Sequence, residues 1–223
     1  MTGSPQKRVG VVLAGCGFLD GAEIHESTLT LLFLDRRHAK VTVMAPDVEQ
    51  MHVVNHVKGE PTTGERRNVL AESARIARGQ IVDLAKVKAA DLDALVFPGG
   101  YGAAKNLCTF AVDGRAMKVN PEVERLIREM VLAKKPVGFI CIAPVIGAKV
   151  LGELKPRLTI GNDADTAAAV NALGAVHVDC AVDQIVVDEK HKVVSTPAYM
   201  LGPWIADVGA GIEKLVSALL EMA

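Results

Sequence analysis

Short apolar runs alternate along this chain with longer segments whose apolar residues recur at helical spacing. Continuous apolar runs of this length, each ending near Gly, Pro or Cys, predict buried strands. Four such runs are RVGVVLAG (8–15), KVTVMAP (40–46), LDALVFPGGYG (92–102) and PVGFIC (136–141). Three further strands are predicted from RLTIG (157–161) and from two runs flanking the polar turn in 184–200.

The helical segments between the strands carry the expected start and stop signals. Asn120 with Pro121 behind it reads as a helix start, and Gly79 closes an earlier helix. The predicted helices cover 21–37, 68–79, 120–135, 142–154, 163–174 and 202–223. Strands alternating with helices form βαβ units, so the prediction is an α/β fold with a doubly wound, mostly parallel sheet and helices on both faces.

The pattern contains no repeat and no Pro/Ser-rich linker, so we expect a single domain over residues 1–223. Residues 1–7 are short and polar and are expected to be flexible. Segment 47–67 is polar with turn signals, and it is expected to leave the sheet as an excursion or short hairpin.

Composition supports this fold and excludes several partners. Half of the residues are hydrophobic but only 4% are aromatic, which suits aliphatic strands buried on both faces. A formal net charge of −1 predicts binding to neither nucleic acid nor an anionic membrane surface. We expect no membrane span, because no apolar run approaches about 20 residues. Four scattered cysteines without a Cys-x-x-Cys pair, and no secretory signal, favour a reduced cytoplasmic setting.

Three strand ends carry unusual residues toward one edge of the predicted sheet. They read GCGFLDGAE, FPGGYGAAKN and FICIAP. Ligand sites of doubly wound sheets lie beyond the carboxyl ends of the strands, so we expect these three corners to converge on a site there.

Cys141 is the last apolar residue before a predicted helix, and two interpretations of it stay open. A cysteine in an apolar run is often inert filler. A cysteine at a helix N-terminus is instead favoured as a thiolate by the free amides and the dipole, and could be a nucleophile. If it is a nucleophile, we expect its thiol pKa to lie below about 7, against about 8.5 for a free thiol.

Taken together, DGAE, PGGYG and FICIAP resemble the PfpI/class I glutamine-amidotransferase-like superfamily. GVVLAGCGFLDGAEIHE, NHVKGE, RNVLAESARIARG, RLTIG and TPAYM resemble more narrowly the ElbB glyoxalase family, which is associated with isoprenoid biosynthesis. The likeness extends over about residues 8–220. It implies a flavodoxin-like fold and a homodimer.

The resemblance also implies site residues. Cys141 matches the nucleophile and Glu23 matches the acid beside it, while the backbone amides of Gly100 and Ile142 match an oxyanion hole. From the residues alone, the interpretation of Glu23 as an acid that stabilises a helix start is the favoured one. Tyr101, Lys105, Asn106, Tyr199 and His25 are candidates to line the pocket. On a helix His25 points away from Glu23, so a polar surface or interface role is favoured for it, and a place at the pocket rim is the alternative.

One departure argues against glutamine hydrolysis. Class I amidotransferases have a histidine near their last strand, where this chain reads VVSTPAYM. The chemistry implied is that of a glyoxalase-like carbon–oxygen lyase of low turnover, without cofactor. Cys141 would add to glyoxal or methylglyoxal as a hemithioacetal, and Glu23 would move a proton to give the 2-hydroxy acid.

Two other functions stay open at this point. The chain could be a redox or stress-responsive binding protein in which Cys141 is reversibly oxidised, or an amidotransferase-like subunit that has lost its triad. We expect no metal, because His52 and His56 are four residues apart but no third ligand follows them.

Overall fold

The computed structural model describes residues 6–223. Its strands are β1 (Arg8–Val12), β2 (Lys40–Ala45), β3 (Val54–Asn55), β4 (Glu60–Pro61), β5 (Val82–Asp83), β6 (Ala94–Phe97), β7 (Val137–Ile140), β8 (Arg157–Leu158), β9 (Val176–His177), β10 (Val186–Asp188) and β11 (Val193–Thr196). Its α-helices are α1 (Ile24–Arg36), α2 (Val69–Ile76), α3 (Tyr101–Lys105), α4 (Phe110–Asp113), α5 (Pro121–Leu132), α6 (Pro144–Leu151), α7 (Ala164–Ala172) and α8 (Ile205–Met222).

A seven-stranded sheet organises the molecule, in the order β10-β11-β7-β6-β1-β2-β5. Every neighbouring pair in it is parallel except β10 with β11. The prediction of a mostly parallel, doubly wound α/β sheet is therefore confirmed.

Helices cover both faces of the sheet, as the central strand β7 makes clear. Successive side chains of a strand point to opposite faces. At Gly138, the Cβ position faces Leu215 and Leu219 of α8. The next residue, Phe139, instead lies against Gly147 of α6, and both strand residues are buried. This two-sided burial explains why β7 is apolar throughout rather than alternating.

The irregular segments depart from the pattern in informative ways. Segment 47–67 contains the antiparallel β3–β4 pair, so the short hairpin considered for it is present. Of the RLTIG run only β8 is a strand, and it pairs with β9 in a separate small sheet rather than joining the main one. The flexibility expected for residues 1–7 concerns mostly residues 1–5, which lie outside the described residues.

Four adjacent parallel strands bring their carboxyl ends to one edge. They are β1, β6, β7 and β11. Glycine-rich turns follow β1 and β6, Cys141 follows β7, and Tyr199 follows β11. The predicted convergence of the three corners is thus a consequence of the sheet order. Within the described chain, no helix combines the length and apolarity needed to cross a membrane.

Candidate active site

Cys141 occupies a sharp corner between β7 and α6. Its backbone adopts φ = 62°, in the left-handed region that residues with a side chain rarely enter. The corner is held by the N–H of Cys141, which donates to the carbonyl of Thr196 on β11 at 3.0 Å. Strained backbone of this kind concentrates at functional sites. Here it turns the side chain toward the open end of the sheet, where the residue is 7% exposed.

The acid beside the thiol is Glu26, in the first turn of α1. Its side chain is fully buried, and its charge raises the pKa of the Cys141 thiol. One carboxyl oxygen accepts from the N–H of Gly99 at 2.8 Å, and the other accepts from the N–H of Tyr199 at 3.3 Å. A single carboxyl group therefore joins the segments that follow β6, β7 and β11.

Sequence reasoning assigned the position beside the sulfur to Glu23, and the structure corrects this. The helix begins at Ile24, not at residue 21, so Glu23 is its N-cap. Its Oε2 accepts from the N–H of Glu26 at 2.7 Å, the usual cap interaction. Glu23 still lines the cavity above the sulfur. The helix-start role considered for Glu23 is confirmed.

A signal for Glu26 was present in the sequence. DGAEIHE contains two glutamates three residues apart, which is nearly one helical turn. Had the helix start been set at residue 24, the first glutamate would have been the cap. The second would have been a first-turn residue free to point into the core.

Burial sets the protonation of both groups. Burial, and next the neighbouring charge of Glu23, raise the pKa of Glu26 from 4.5 to about 8. Burial, and next the charge of Glu26, raise the pKa of the Cys141 thiol, while the N–H groups of Gly100 and Ile142 donate to the sulfur and lower it. The net direction is upward, so the expectation of a thiol pKa below about 7 is contradicted.

Two glycines allow these groups to meet. A Cβ at Gly99 would lie 2.5 Å from the Cβ of Cys141 and 2.9 Å from Oε2 of Glu26. Gly100 has φ = 89°, and a Cβ there would lie 2.4 Å from the N of Glu23. Any side chain at either position would separate the acid from the sulfur or displace the start of α1.

A cavity of about 730 Å³ opens above the sulfur. Most of its lining residues are apolar. The residues of the lining that are ionisable or carry a hydroxyl group are Glu23, His25, Tyr101, Cys141, Thr166 and Tyr199. The remaining residues of the lining are Phe18, Gly100, Ala104, Phe110, Ala111, Ile142, Met200 and Pro203. No Lys or Arg of residues 6–223 belongs to this lining.

Of the five predicted pocket residues, the structure brings Tyr101, Tyr199 and His25 to the cavity. Sequence reasoning missed Phe18, Phe110 and other apolar lining residues, because an apolar residue in a loop carries no pattern that separates lining from packing.

Lys105 and Asn106 do not line the cavity. The Nζ of Lys105 donates to the carbonyl of Leu19 at 2.9 Å. The side-chain amide of Asn106 is buried and donates to the carbonyls of Ala14 and Asp20, each at 2.8 Å. Both side chains thus hold the loop after β1 in place. Their hydrogen bonds also give partners to backbone carbonyl groups of that loop, which would otherwise lack one.

His25 and Tyr199 form a pair at the cavity wall. Nδ1 of His25 and the phenol oxygen of Tyr199 are 2.7 Å apart, and the two ring centroids are separated by 5.8 Å. A polar surface or interface role was favoured for His25 over the pocket rim, but His25 lines the cavity, and its contact with Tyr199 was not predicted.

Within residues 6–223 no group of three His, Cys, Asp or Glu side chains could hold a metal ion. His56, one of the two histidines considered as ligands, instead accepts from the N–H of Leu19 at 3.3 Å through Nε2. It therefore supports the loop after β1.

Comparison with known proteins gives close relatives. The chain is 52% identical over 227 residues to the mitochondrial ES1 protein homolog of Rattus norvegicus, covering 98% of this chain and 85% of the relative. It is also 52% identical to the mitochondrial glutamine amidotransferase-like class 1 domain-containing protein 3 of Homo sapiens, covering 98% and 84%. The chain belongs to the ES1 family. No family model matches the sequence.

Solved structures support the superfamily that the sequence motifs indicated for this chain. An isoprenoid biosynthesis protein with an amidotransferase-like domain from Ehrlichia chaffeensis has a TM-score of 0.90 and 38% identity, over 97% of this chain and 99% of that one. A DJ-1 superfamily protein from Salmonella typhimurium has a TM-score of 0.57 and 25% identity, over 97% and 91%. The amidotransferase-like, PfpI-type assignment is confirmed.

The relatives contradict one expectation. Cysteine usage favoured a cytoplasmic setting, but the curated ES1 relatives are named mitochondrial. The cytoplasmic prediction was therefore wrong. Scattered free cysteines indicate a reducing environment, and more than one compartment provides it.

Proposed function

We propose that this ES1-family chain is a cofactor-independent, glyoxalase-like enzyme that converts an α-oxoaldehyde to the 2-hydroxy acid. The observation that carries the proposal is that Cys141, which lines the cavity, lies beside the buried Glu26 carboxyl, with only Gly99 packed between the Cβ of Cys141 and Oε2 of Glu26. A nucleophile within hydrogen-bonding reach of an acid–base group is the arrangement that covalent catalysis requires.

In the first step the thiol adds to the substrate aldehyde. Ionised Glu26 takes the proton of Cys141 as sulfur bonds to the aldehyde carbon, and the protonated carboxyl then gives that proton to the new alkoxide. The product is a hemithioacetal. The N–H groups of Gly100 and Ile142, which face the sulfur, are proposed to stabilise the negative charge that develops beside it.

In the second step the hemithioacetal isomerises without net redox change, because the aldehyde-derived carbon is oxidised as the adjacent carbonyl carbon is reduced. Glu26 removes the proton from the aldehyde-derived carbon, giving an enediol, and returns a proton to the adjacent carbon. The hemithioacetal thereby becomes a thioester. Water cleaves the thioester, which releases the 2-hydroxy acid and regenerates the thiol. The overall reaction adds one water molecule to the oxoaldehyde, so no oxidant or metal is needed to balance it.

The cavity also bears on substrate choice. At about 730 Å³ it is far larger than glyoxal or methylglyoxal, and most of its wall is apolar. No Lys or Arg of the described chain lines it, while the Glu23 carboxyl does. Both features favour a neutral substrate, and they disfavour phosphorylated ones, which need cationic or amide-rich sites.

Two observations favour turnover over a redox-sensing role for the same sulfur. Reactivity toward peroxide follows thiolate character and exposure. Cys141 is only 7% exposed, and burial raises its pKa. A thiol that is deprotonated only when Glu26 accepts its proton suits covalent catalysis better than direct oxidation.

The experiment is turnover of methylglyoxal in heavy water, followed by NMR. Wild type is expected to give lactate that carries deuterium at C2, because Glu26 exchanges its proton with solvent before returning it. Glu26→Gln keeps the size of the side chain but cannot accept the proton, so kcat is expected to fall about 10³-fold.

Glu23→Gln is the matched variant, since it makes the same change one turn earlier. We expect its loss of kcat to be at least about ten-fold smaller than that of Glu26→Gln. A larger loss of kcat from Glu23→Gln than from Glu26→Gln would mean that Glu23, rather than Glu26, transfers the proton. Absence of hydroxy acid from wild type with glyoxal, methylglyoxal and phenylglyoxal would rule out the proposed reaction.

A further inference from the structure

The chain has no histidine after its last parallel strand, β11, but an imidazole from another element lies against the segment that follows that strand. Tyr199 follows β11, the strand beside β7. The phenol oxygen of Tyr199 lies 2.7 Å from Nδ1 of His25, which comes from the first turn of α1. We propose that Tyr199 and His25 act together as a proton relay that activates the water molecule that cleaves the Cys141 thioester. This inference rests on the proposed function.

The relay is fixed relative to the sulfur by a shared anchor. The Glu26 carboxyl that lies beside Cys141 also accepts from the N–H of Tyr199 at 3.3 Å. Tyr199, His25 and Cys141 line one cavity. A water molecule between the phenol and a thioester at Cys141 would therefore lie within that cavity.

The two residues differ in exposure, as a relay to solvent requires. Tyr199 is half-buried, whereas His25 is exposed at the outer end of the pair. Burial, followed by the nearby charges of Glu23 and Glu26, raises the pKa of Tyr199, so its phenol stays protonated and can donate to Nδ1. The phenol oxygen then keeps lone pairs that can accept a hydrogen bond from water.

The step balances without any added reactant. The water oxygen bonds to the thioester carbon while one water proton passes to the phenol oxygen and the phenol proton passes to Nδ1 of His25. The carbon–sulfur bond breaks. The remaining hydroxyl proton of the product acid returns through Glu26 to the sulfur, which restores the thiol. The imidazolium of His25 then releases its proton to solvent.

The test separates acylation from hydrolysis by rapid-quench kinetics with methylglyoxal. Tyr199→Phe removes only the phenol oxygen, and His25→Gln removes the imidazole. Both variants are expected to consume about one equivalent of substrate per Cys141 in a fast phase and then to turn over about 10- to 100-fold more slowly than wild type. Intact-protein mass spectrometry is expected to show the acyl adduct on the slow variants.

The control is His38→Gln, the same substitution at an exposed histidine just beyond the opposite end of α1. It should retain the wild-type kcat and accumulate no adduct. Near-UV circular dichroism would establish that each variant keeps its packing.

Two different results separate the two proposals. If wild type forms the hydroxy acid but Tyr199→Phe shows an unchanged kcat and no adduct, the relay is refuted and the proposed function stands. A variant that loses the fast phase as well would also refute it, because the pair would then support the sulfur rather than hydrolysis. If wild type forms no hydroxy acid, the proposed function itself fails.

Discussion

Two buried cysteines in this molecule have nearly the same exposure and very different surroundings. Cys108, in the loop after α3, is 3% exposed, and Cys141 is 7% exposed. The sulfur of Cys108 donates to the carbonyl of Ala103 at 3.3 Å, and burial raises its pKa to about 12 while the backbone N–H of Phe110 lowers it. Cys141 instead lies beside the carboxyl group of Glu26 and below a cavity, and the backbone N–H groups of Gly100 and Ile142 lower its pKa.

Burial alone therefore does not distinguish packing from chemistry. Both cysteines have raised pKa values, so neither is a free thiolate at neutral pH. What separates them is the neighbour that can take the proton. Cys141 has Glu26, whose own pKa of about 8 lies near neutrality, whereas the groups that act on Cys108 belong to the backbone of Ala103 and Phe110 and cannot take its proton.

The largest expected effect comes from removing each sulfur in turn. Cys141→Ala is expected to reduce kcat for methylglyoxal by about 10³-fold or more, because it removes the nucleophile. Cys108→Ala should keep kcat within about two-fold and lower the free energy of unfolding by about 1–2 kcal/mol, since it leaves a small void. Steady-state assays and urea unfolding would measure both. Normal turnover by Cys141→Ala would show that the sulfur of Cys141 is no more needed for catalysis than that of Cys108.

The second largest expected effect is a pH dependence of kcat/KM and of thiol labelling, which we expect for Cys141 and not for Cys108. Below pH 8 the Glu26 carboxyl is increasingly protonated and cannot accept the thiol proton, because its pKa is raised to about 8. We expect kcat/KM to rise with pH by up to about ten-fold per unit and to level off above pH 8. Iodoacetamide labelling of Cys141 in the folded protein should rise over the same range, while Cys108 stays unlabelled. A pH-independent kcat/KM between pH 6 and 9 would contradict the role of Glu26.

The smallest expected effect is on the pH dependence of the free energy of unfolding. Glu26 has a higher pKa in the folded protein, about 8, than its ordinary value of 4.5, so the folded state binds the extra proton between these pH values. Its stabilising contribution is complete below pH 4.5 and is lost as the pH rises through 8. The free energy of unfolding should fall by up to about 1.4 kcal/mol per pH unit in this window.

Glu26→Gln should remove this part of the slope, and Cys108→Ala should leave it unchanged, since Cys108 does not titrate there. Chemical unfolding at several pH values would measure all three proteins. An equal slope in wild type and Glu26→Gln would mean that Glu26 is already ionised at neutral pH in the folded protein.

The architecture and the corner at Cys141 could be predicted from sequence because both depend on local pattern. Apolar runs that end in Gly or Cys specify β7 and its neighbours, and parallel strands must bring their ends to one edge. The acid was missed because a three-residue difference in the helix start exchanges the roles of Glu23 and Glu26. The sign of the Cys141 pKa shift was missed because it depends on burial by distant segments, which no local motif reports. The homodimer implied by resemblance stays a prediction.

The left-handed backbone at Cys141 has a consequence for protein engineering. At φ = 62° a side chain costs about 1–2 kcal/mol, which glycine avoids. A directed-evolution screen that rewards heat resistance alone would thus favour glycine at this position and discard the sulfur. Selection for thermostable variants of this chain must therefore include selection for turnover, because the variant with glycine in place of Cys141 would be more stable but would lack the nucleophile.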